Sequence, residues 1–141
     1  MAKMQCETAR NGPAADARQT RVGAEDKSVV DKVDRIIQEA VSQGATEIHF
    51  EPNPERLAVR LRIKGLLREL ETDFEQGTAT NVVNRVKVLS GMDITKTKIP
   101  QSGFFKLKGE DRTIEMYAFV IPTLYGEATV VKVQYKQSAT A

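Results

Sequence analysis

The sequence predicts an α+β domain in which helices pack on a mainly antiparallel sheet. Two stretches have the apolar spacing of amphipathic helices, several others alternate apolar and polar residues with a period of two, and short turns separate them. A chain of 141 residues, 40% of them apolar, has room for one such core. Its net charge is +2 and its basic and acidic residues are interspersed, so nucleic-acid binding is not expected.

The composition divides the chain into three ranges. Residues 1–26 have few large apolar side chains and are predicted to be a polar leader that is disordered or loosely attached. Residues 27–137 are predicted to form the single domain, and residues 138–141 a short tail. The only cysteine, Cys6, cannot form an internal disulfide, and no apolar run is long enough to span a membrane. We therefore expect a cytoplasmic protein without direct membrane insertion.

The first helix of the domain is amphipathic and is predicted to end at Gly44. Its apolar side is formed by Val29, Val30, Val33, Ile36, Ile37, Ala40 and Val41. From Thr46 the period falls to two, since Ile48 and Phe50 alternate with polar residues as far as Pro52. This pattern predicts a strand that begins soon after the helix.

A hairpin is predicted next, with strands from Leu57 to Ile63 and from Leu66 to Leu70 and a turn at Gly65. Its polar residues include a cationic row formed by Arg60, Arg62, Lys64 and Arg68. Guanidinium groups aligned on a strand can hold phosphate or carboxylate, so the three arginines are the candidate anion-binding residues. Alternatively, the row is a solvated face whose charges pair with Glu69 and Glu71 across the hairpin.

The second half of the domain is predicted to contain one helix and three strands. The helix runs from Thr78 to Ser90, is ended by Gly91, and has a polar side with Asn81, Asn84, Arg85 and Lys87. An ordered connection over residues 93–101 follows. The strands are predicted from Phe105 to Lys108, from Ile114 to Val120 and from Ala128 to Tyr135.

The sequence contains no constellation for catalysis. A phosphate-binding loop needs glycines followed by Lys and Ser or Thr at a fixed spacing, which occurs nowhere in these 141 residues. His49 is the only histidine; with Glu47 and Glu51 on the same side of a strand it could offer three metal ligands, but a polar strand face is the favoured interpretation. We therefore predict no catalytic residue, no metal and no cofactor.

Four segments, in order and spacing, resemble a known family: Gly44 to Pro52, Val59 to Glu69, Ile99 to Gly103 and Pro122 to Glu127. The chain resembles, from Val29 to Tyr135, the domain that precedes the motor core in type II secretion and type IV pilus assembly ATPases. The resemblance implies a PAS-like fold, a place in a hexameric ring, and arginines directed at nucleotide phosphates. The RecA-like motor core of the family has no counterpart in this sequence.

The sequence departs from the family pattern where the resemblance implies nucleotide contacts. Phe104 and Tyr117 stand where family members carry arginine, and Tyr125 replaces a histidine. Together with Phe119, these aromatic residues are predicted to form a partner interface, because aromatic side chains are enriched in protein interfaces. The Pro122 to Glu127 segment is itself favoured to be a turn, and the alternative for the aromatic residues is additional core packing under a helix.

Three hypotheses about function follow from the resemblance and the departures. The preferred one is a non-catalytic adaptor or regulator that docks on a secretion or pilus assembly ATPase or on its cytoplasmic partners. The second is an N-terminal part of such an ATPase that transmits motion within the hexamer. The third is a PAS-like sensor that binds a small anion or nucleotide through Arg60, Arg62 and Arg68. Self-association is compatible with each of them.

Overall fold

The structure is a computed structural model that describes residues 5–7, 27–72, 74, 76–109 and 112–135. In these ranges two helices, α1 (Lys27–Ser42) and α2 (Ala79–Ser90), pack against a seven-stranded sheet, which confirms the predicted α+β class. A short 3₁₀ helix, Gln76–Thr78, precedes α2. The strands are β1 (Gln5–Glu7), β2 (Glu47–Pro52), β3 (Leu57–Ile63), β4 (Leu66–Leu70), β5 (Gln101–Lys108), β6 (Thr113–Thr123) and β7 (Gly126–Tyr135).

The sheet contains two antiparallel meanders, β5-β6-β7 and β2-β3-β4, which are joined by the pairing of β7 with β2. Its strand order is β1-β5-β6-β7-β2-β3-β4, and each neighbouring pair is antiparallel. The junction is the β2–β7 pair, in which Ile48 lies opposite Val131. Because β7 can pair with β2 only after the rest of the domain has been synthesised, long-range pairing completes the sheet.

The core lies between the helices and one face of the sheet. Side chains alternate across each strand, so the apolar half of every period faces the helices. The fully buried residues include Val33, Ile37, Val82, Val86, Ile48, Phe50, Phe105 and Met116. Each buried side chain of this size stabilises the fold by about 1.5–3 kcal/mol relative to its exposed state. The predicted apolar faces of both helices and of β2 are therefore confirmed.

One segment of the predicted leader is part of the sheet. Gln5–Glu7 forms β1 and pairs with Lys106, Leu107 and Lys108 of β5, so these three residues of the predicted leader are attached to the domain as an edge strand. The physical reason is that the outer edge of β5 presents backbone donors and acceptors that an extended segment can satisfy. The remainder of the predicted leader and the 138–141 tail lie outside the described residues.

The placement of Lys87 also differs from the prediction. Lys87 is fully buried, with 0% of its surface exposed, and so does not lie on the polar side of α2. Its Nζ donates a hydrogen bond to the Lys96 carbonyl (2.9 Å) and to the Glu127 carboxylate (3.0 Å). The segment that follows α2 and the start of β7 both close over this ammonium group. Its charge is tolerated in the interior because it is paired and hydrogen-bonded.

Hydrogen bonds join the two ends of the connection between α2 and β5, and they determine where β5 begins. Gln101 accepts a hydrogen bond from the Asp93 amide and donates one to the Asp93 carbonyl, each 2.9 Å long. Two residues later the strand passes so close to α2 that a Cβ on Gly103 would lie 2.3 Å from the Ser90 carbonyl oxygen. Only glycine fits there without a shift of the backbone.

Candidate functional site

The face of the sheet opposite the helices, here called the open face, is the candidate site. Among the described residues, both helices pack on the other face. The open face has an aromatic half on β5 and β6, formed by Phe104, Tyr117, Phe119 and Ile121. It also has a charged half on β2, β3 and β4, formed by Glu47, His49, Glu51, Arg60, Arg62 and Glu69. The two halves differ in how many of their side chains have a binding partner within the domain.

The aromatic half is centred on a cross-strand pair. Phe104 lies directly opposite Tyr117, and the two rings stack with their centroids 5.9 Å apart. Phe104 is 48% exposed and Tyr117 is 36% exposed. The Tyr117 hydroxyl donates a hydrogen bond to Glu115 (2.9 Å), and this carboxylate raises the pKa of the tyrosine. The two positions at which the resemblance implied arginine therefore form one exposed aromatic pair.

Phe119 and Ile121 continue the aromatic half along β6. Both are exposed, and the Lys132 ammonium lies 5.8 Å from the centroid of the Phe119 ring. None of the large side chains in the aromatic half is packed under a helix. Ile121 is not among the predicted interface residues, although it has the same period-two phase as Tyr117 and Phe119.

Tyr125 lies apart from the other predicted interface residues. It occupies the turn between β6 and β7, where the Thr123 hydroxyl accepts a hydrogen bond from the Tyr125 amide (3.2 Å). Its side chain lines a groove with Asn53, Arg56 and Val83, on the side of the hairpin that approaches α2. The turn favoured for the Pro122 to Glu127 segment is present, and it separates Tyr125 from the stacked pair.

The charged half is internally paired. Arg60 binds the Glu51 carboxylate, and Arg62 donates from Nε to Glu47 (3.2 Å). His49 Nε2 lies 2.8 Å from the same Glu47 oxygen. The hydrogen bond from His49 and then the contact with Arg62 hold the pKa of Glu47 below its usual value, against the opposing effect of burial. Both arginines of the open face therefore already have a carboxylate partner.

The carboxylates that pair with Arg60 and Arg62 are not those expected from the sequence. Glu69 pairs with Arg56, which precedes β3, and not with an arginine of the predicted row. Arg60 and Arg62, which were expected to pair with Glu69 and Glu71, instead pair with Glu51 and Glu47 of β2. The reason is the sheet order, which places β2 on one side of β3 and β4 on the other.

Arg68 does not belong to the same row as the other two arginines. It lies opposite Leu61, a core residue, whereas Arg60 lies opposite Glu69 on the open face. The turn explains the difference. Lys64 and Gly65 both have positive φ and form a two-residue turn, so Ile63 pairs with Leu66 and even-numbered residues of β3 share a face with odd-numbered residues of β4.

The polar residues of β2 do not form a metal centre. Within the described ranges, no group of three His, Cys, Asp or Glu side chains is arranged to hold a metal ion. Glu47 and Glu51 are instead engaged by arginines of β3. In the same ranges, no helix has the length and hydropathy needed to cross a membrane.

The buried Lys87–Glu127 pair is the polar constellation that sequence analysis missed. Lys87 follows Val83 by four positions and is therefore on the apolar side of α2, which is a detectable signal. Its partner is 40 residues away, so the pairing could not be read from local spacing. The pair holds the β6–β7 hairpin against α2 and against the connection that precedes β5.

Comparison with known proteins places the domain in a family. A family model described as "Type II/IV secretion system protein" matches residues 23–141. The type IV pilus assembly ATPase PilB of Acinetobacter baylyi is 36% identical over 112 residues, which are 79% of this chain and 19% of that protein. Type II secretion system protein E of Pseudomonas aeruginosa is 32% identical over 114 residues, which are 81% of this chain and 22% of that protein.

A third relative also matches most of this chain over a small part of its own length. The PilB protein of Thermus thermophilus is 34% identical over 114 residues, which are 80% of this chain and 13% of that protein. The chain thus spans about a fifth or less of the length of these relatives. The matched part is the N-terminal region of the family and not its catalytic core.

Proposed function

Because the chain belongs to the type II/IV secretion system protein family, we propose that it serves secretion or pilus assembly as a non-catalytic adaptor or regulator. It docks, in the cytoplasm, on an assembly ATPase or on one of that ATPase's partners. The observation that carries this proposal is the stacked, exposed Phe104–Tyr117 pair on the open face. Exposed aromatic clusters are typical of protein interfaces and contribute hot-spot energies of about 2 kcal/mol or more.

The chemistry of the open face supports docking over catalysis. The aromatic half offers apolar surface and few hydrogen-bonding groups, which suits contact with another apolar surface. The charged half has no unpaired arginine of its own, since Arg60 and Arg62 are bound to carboxylates of β2. A phosphate would have to displace these carboxylates in order to bind. The sensor hypothesis is therefore less well supported than the adaptor hypothesis.

A second candidate function is favoured by the extent of the family match. The chain corresponds to about a fifth of the length of its relatives, which is the size of one domain within a larger protein. In this second reading the domain is part of an ATPase and transmits motion between neighbouring domains, and the aromatic half contacts a domain of the same assembly. The reading frame beyond Ala141 distinguishes the two candidates.

The experiment is a titration of a purified assembly ATPase from the same organism with this protein. Direct binding and the steady-state ATPase rate are measured in the same samples. The adaptor proposal predicts saturable binding and a changed rate, both lost in the double variant Phe104→Arg with Tyr117→Arg. The matched control is Leu66→Arg, because Leu66 is 65% exposed but lies on β4 and not on the open face.

Two results would overturn the adaptor proposal. One is the absence of both binding and rate change with the unmodified protein. The other is equal loss of binding in the double variant and in Leu66→Arg, which would show that any added surface charge disrupts the complex. Addition of inorganic phosphate or ATP to the protein alone should leave its melting temperature unchanged, because a ligand stabilises the folded state only if it binds there.

A further inference from the structure

Among the described residues, only part of the outer edge of β5 is paired. β1 covers Lys106, Leu107 and Lys108, and no strand among the described residues pairs with the outer side of Gln101 to Phe105. An open strand edge presents a row of backbone N–H and C=O groups that can accept an extended chain. The part of this edge that no described strand covers includes Phe104, so it borders the aromatic half of the open face directly.

We infer that the β5 edge is a strand-docking site for the protein that binds the aromatic half. That partner adds an extended, antiparallel strand along Gln101–Lys108 and displaces β1, which is the intramolecular occupant of the same edge. The identity of the partner rests on the proposed function. The capacity of the edge to bind a strand rests on β1, which is already seated there in antiparallel register.

The register defines the chemistry of the docked strand. On the open face, β5 presents Ser102, Phe104, Lys106 and Lys108, all of which are exposed. The position of β1 opposite Lys106 is occupied by Glu7. Continuing the antiparallel register, the residue two positions after the one opposite Lys106 lies opposite Phe104. The partner strand is therefore expected to carry an acidic residue followed two positions later by a large apolar one, since such cross-strand pairs are favourable.

The relative lengths of the two strands explain why β1 can be displaced. β1 pairs over three residues, whereas β5 has eight residues to offer. A strand along the whole edge forms more backbone hydrogen bonds and adds contacts with Phe104. The advantage of β1 is its covalent attachment, which gives it an effective concentration on the order of millimolar. β1 therefore excludes weakly binding strands from the edge but is displaced by a longer complementary strand.

The first experiment measures hydrogen–deuterium exchange in the full chain. Glu7→Pro removes the backbone N–H that Glu7 directs at Lys106 of β5 and so disfavours the pairing of β1, and Glu7→Ala is the matched control that keeps this N–H. Exchange of the Lys106 and Lys108 amides, which point toward β1, is expected to be at least tenfold faster in Glu7→Pro than in Glu7→Ala, while exchange in β2 and β3 is unchanged. Equal exchange of these two amides in the two variants would overturn the proposed role of β1.

The second experiment adds a synthetic peptide in trans at about 1 mM, the concentration that tethering supplies. The peptide comprises residues 2–12 of this chain with Ala9→Leu, which places leucine opposite Phe104 in the continued register. It should restore slow exchange of the Lys106 and Lys108 amides in Glu7→Pro and also slow exchange of the Ser102 and Phe104 amides. The same peptide with Glu7→Pro is the control and should have no effect. Failure of the first peptide, or equal protection by both, contradicts strand docking.

The third experiment separates this inference from the proposed function. In the complex with a saturating assembly ATPase, exchange of the Ser102 and Phe104 amides, which point to the outer edge, should be at least tenfold slower than in the free protein. If the ATPase binds but these amides exchange as in the free protein, strand docking is wrong and the adaptor function stands. If the peptide protects the edge but the ATPase does not bind, the adaptor function is wrong and the strand-docking site stands.

Discussion

The two halves of the open face lie on one sheet but differ in whether their side chains have partners within the domain. In the charged half, Arg60 and Arg62 are matched by Glu51 and Glu47 on the neighbouring strand. In the aromatic half, Phe104 and Tyr117 stack on each other and still leave large parts of both rings exposed. The charged half therefore leaves fewer side chains available for a partner than the aromatic half does. The exposed apolar surface, and not the charge density, is therefore the basis of the docking proposal.

The comparison also separates what stabilises the fold from what is available for binding. Exposed ion pairs contribute about 0–1 kcal/mol each, so the charged half adds little to stability. The aromatic half is next to the core in sequence but on the other side of the strand, since Phe104 is exposed and Phe105 is buried. Neighbouring residues of β5 therefore have different roles.

The largest expected effect concerns Phe105, on the core side of the aromatic half. Phe105→Ala should lower the free energy of unfolding by about 3–5 kcal/mol, because it removes a fully buried aromatic side chain and leaves a cavity. Phe104→Ser should change it by no more than about 0.5 kcal/mol. Urea denaturation of both variants measures the difference. A similar loss in Phe104→Ser would mean that the exposed ring stabilises the fold, and the distinction between the two sides would fail.

The next effect concerns Gly103, where β5 touches α2. Gly103→Ala should destabilise the domain by about 1–3 kcal/mol, because the new Cβ would lie 2.3 Å from the Ser90 carbonyl oxygen and force the strand or helix to move. Gly77→Ala is the matched control, since nothing lies within 4 Å of its added Cβ. Thermal denaturation compares the two variants. Equal stability of both would show that β5 is not held tightly against α2.

The smallest effect concerns Glu47 in the charged half. Its folded-state pKa lies below the usual value of 4.5, so its contribution to stability is present above that value and is lost as the pH falls through the folded pKa. Glu47→Gln should cost no more than about 1 kcal/mol near neutral pH, and the difference from the unmodified protein should shrink between about pH 5 and pH 3.

Glu55→Gln provides the matched control for Glu47, because Glu55 is an exposed carboxylate in the turn between β2 and β3. Its unfolding free energy should follow that of the unmodified protein across the same pH range. Urea denaturation at several pH values measures both variants. A constant difference between Glu47→Gln and the unmodified protein from pH 6 to pH 3 would contradict the pairing described for the charged half.

The periodicity of the sequence was sufficient to predict most of the fold. Both helices and five of the six longer strands have an apolar spacing that matches their period, and β4 was predicted from its place after the Gly65 turn. Their predicted ends lie within about four residues of those in the structure. β1 was not predicted because three residues carry no period. Its conformation depends on the exposed edge of β5, which is a tertiary feature.

The candidate site was predicted less completely, for reasons that concern register and long-range contact. Arg68 was grouped with Arg60 because alternation was counted through the turn, whereas the two-residue turn reverses the phase. The burial of Lys87 depends on Glu127, which is distant in sequence. The resemblance located Phe104 and Tyr117 as departures from family arginines, but only the register of β5 and β6 showed that they are a pair.

One binding measurement compares the two halves directly. The affinity of an assembly ATPase from the same organism is measured for the unmodified protein, for Phe104→Arg with Tyr117→Arg, and for Arg60→Gln with Arg62→Gln. The aromatic variant should bind at least about 30-fold more weakly, which corresponds to the loss of about 2 kcal/mol. The charged variant should bind within about threefold of the unmodified protein. Loss of binding in the charged variant alone would contradict the assignment of the aromatic half as the docking surface.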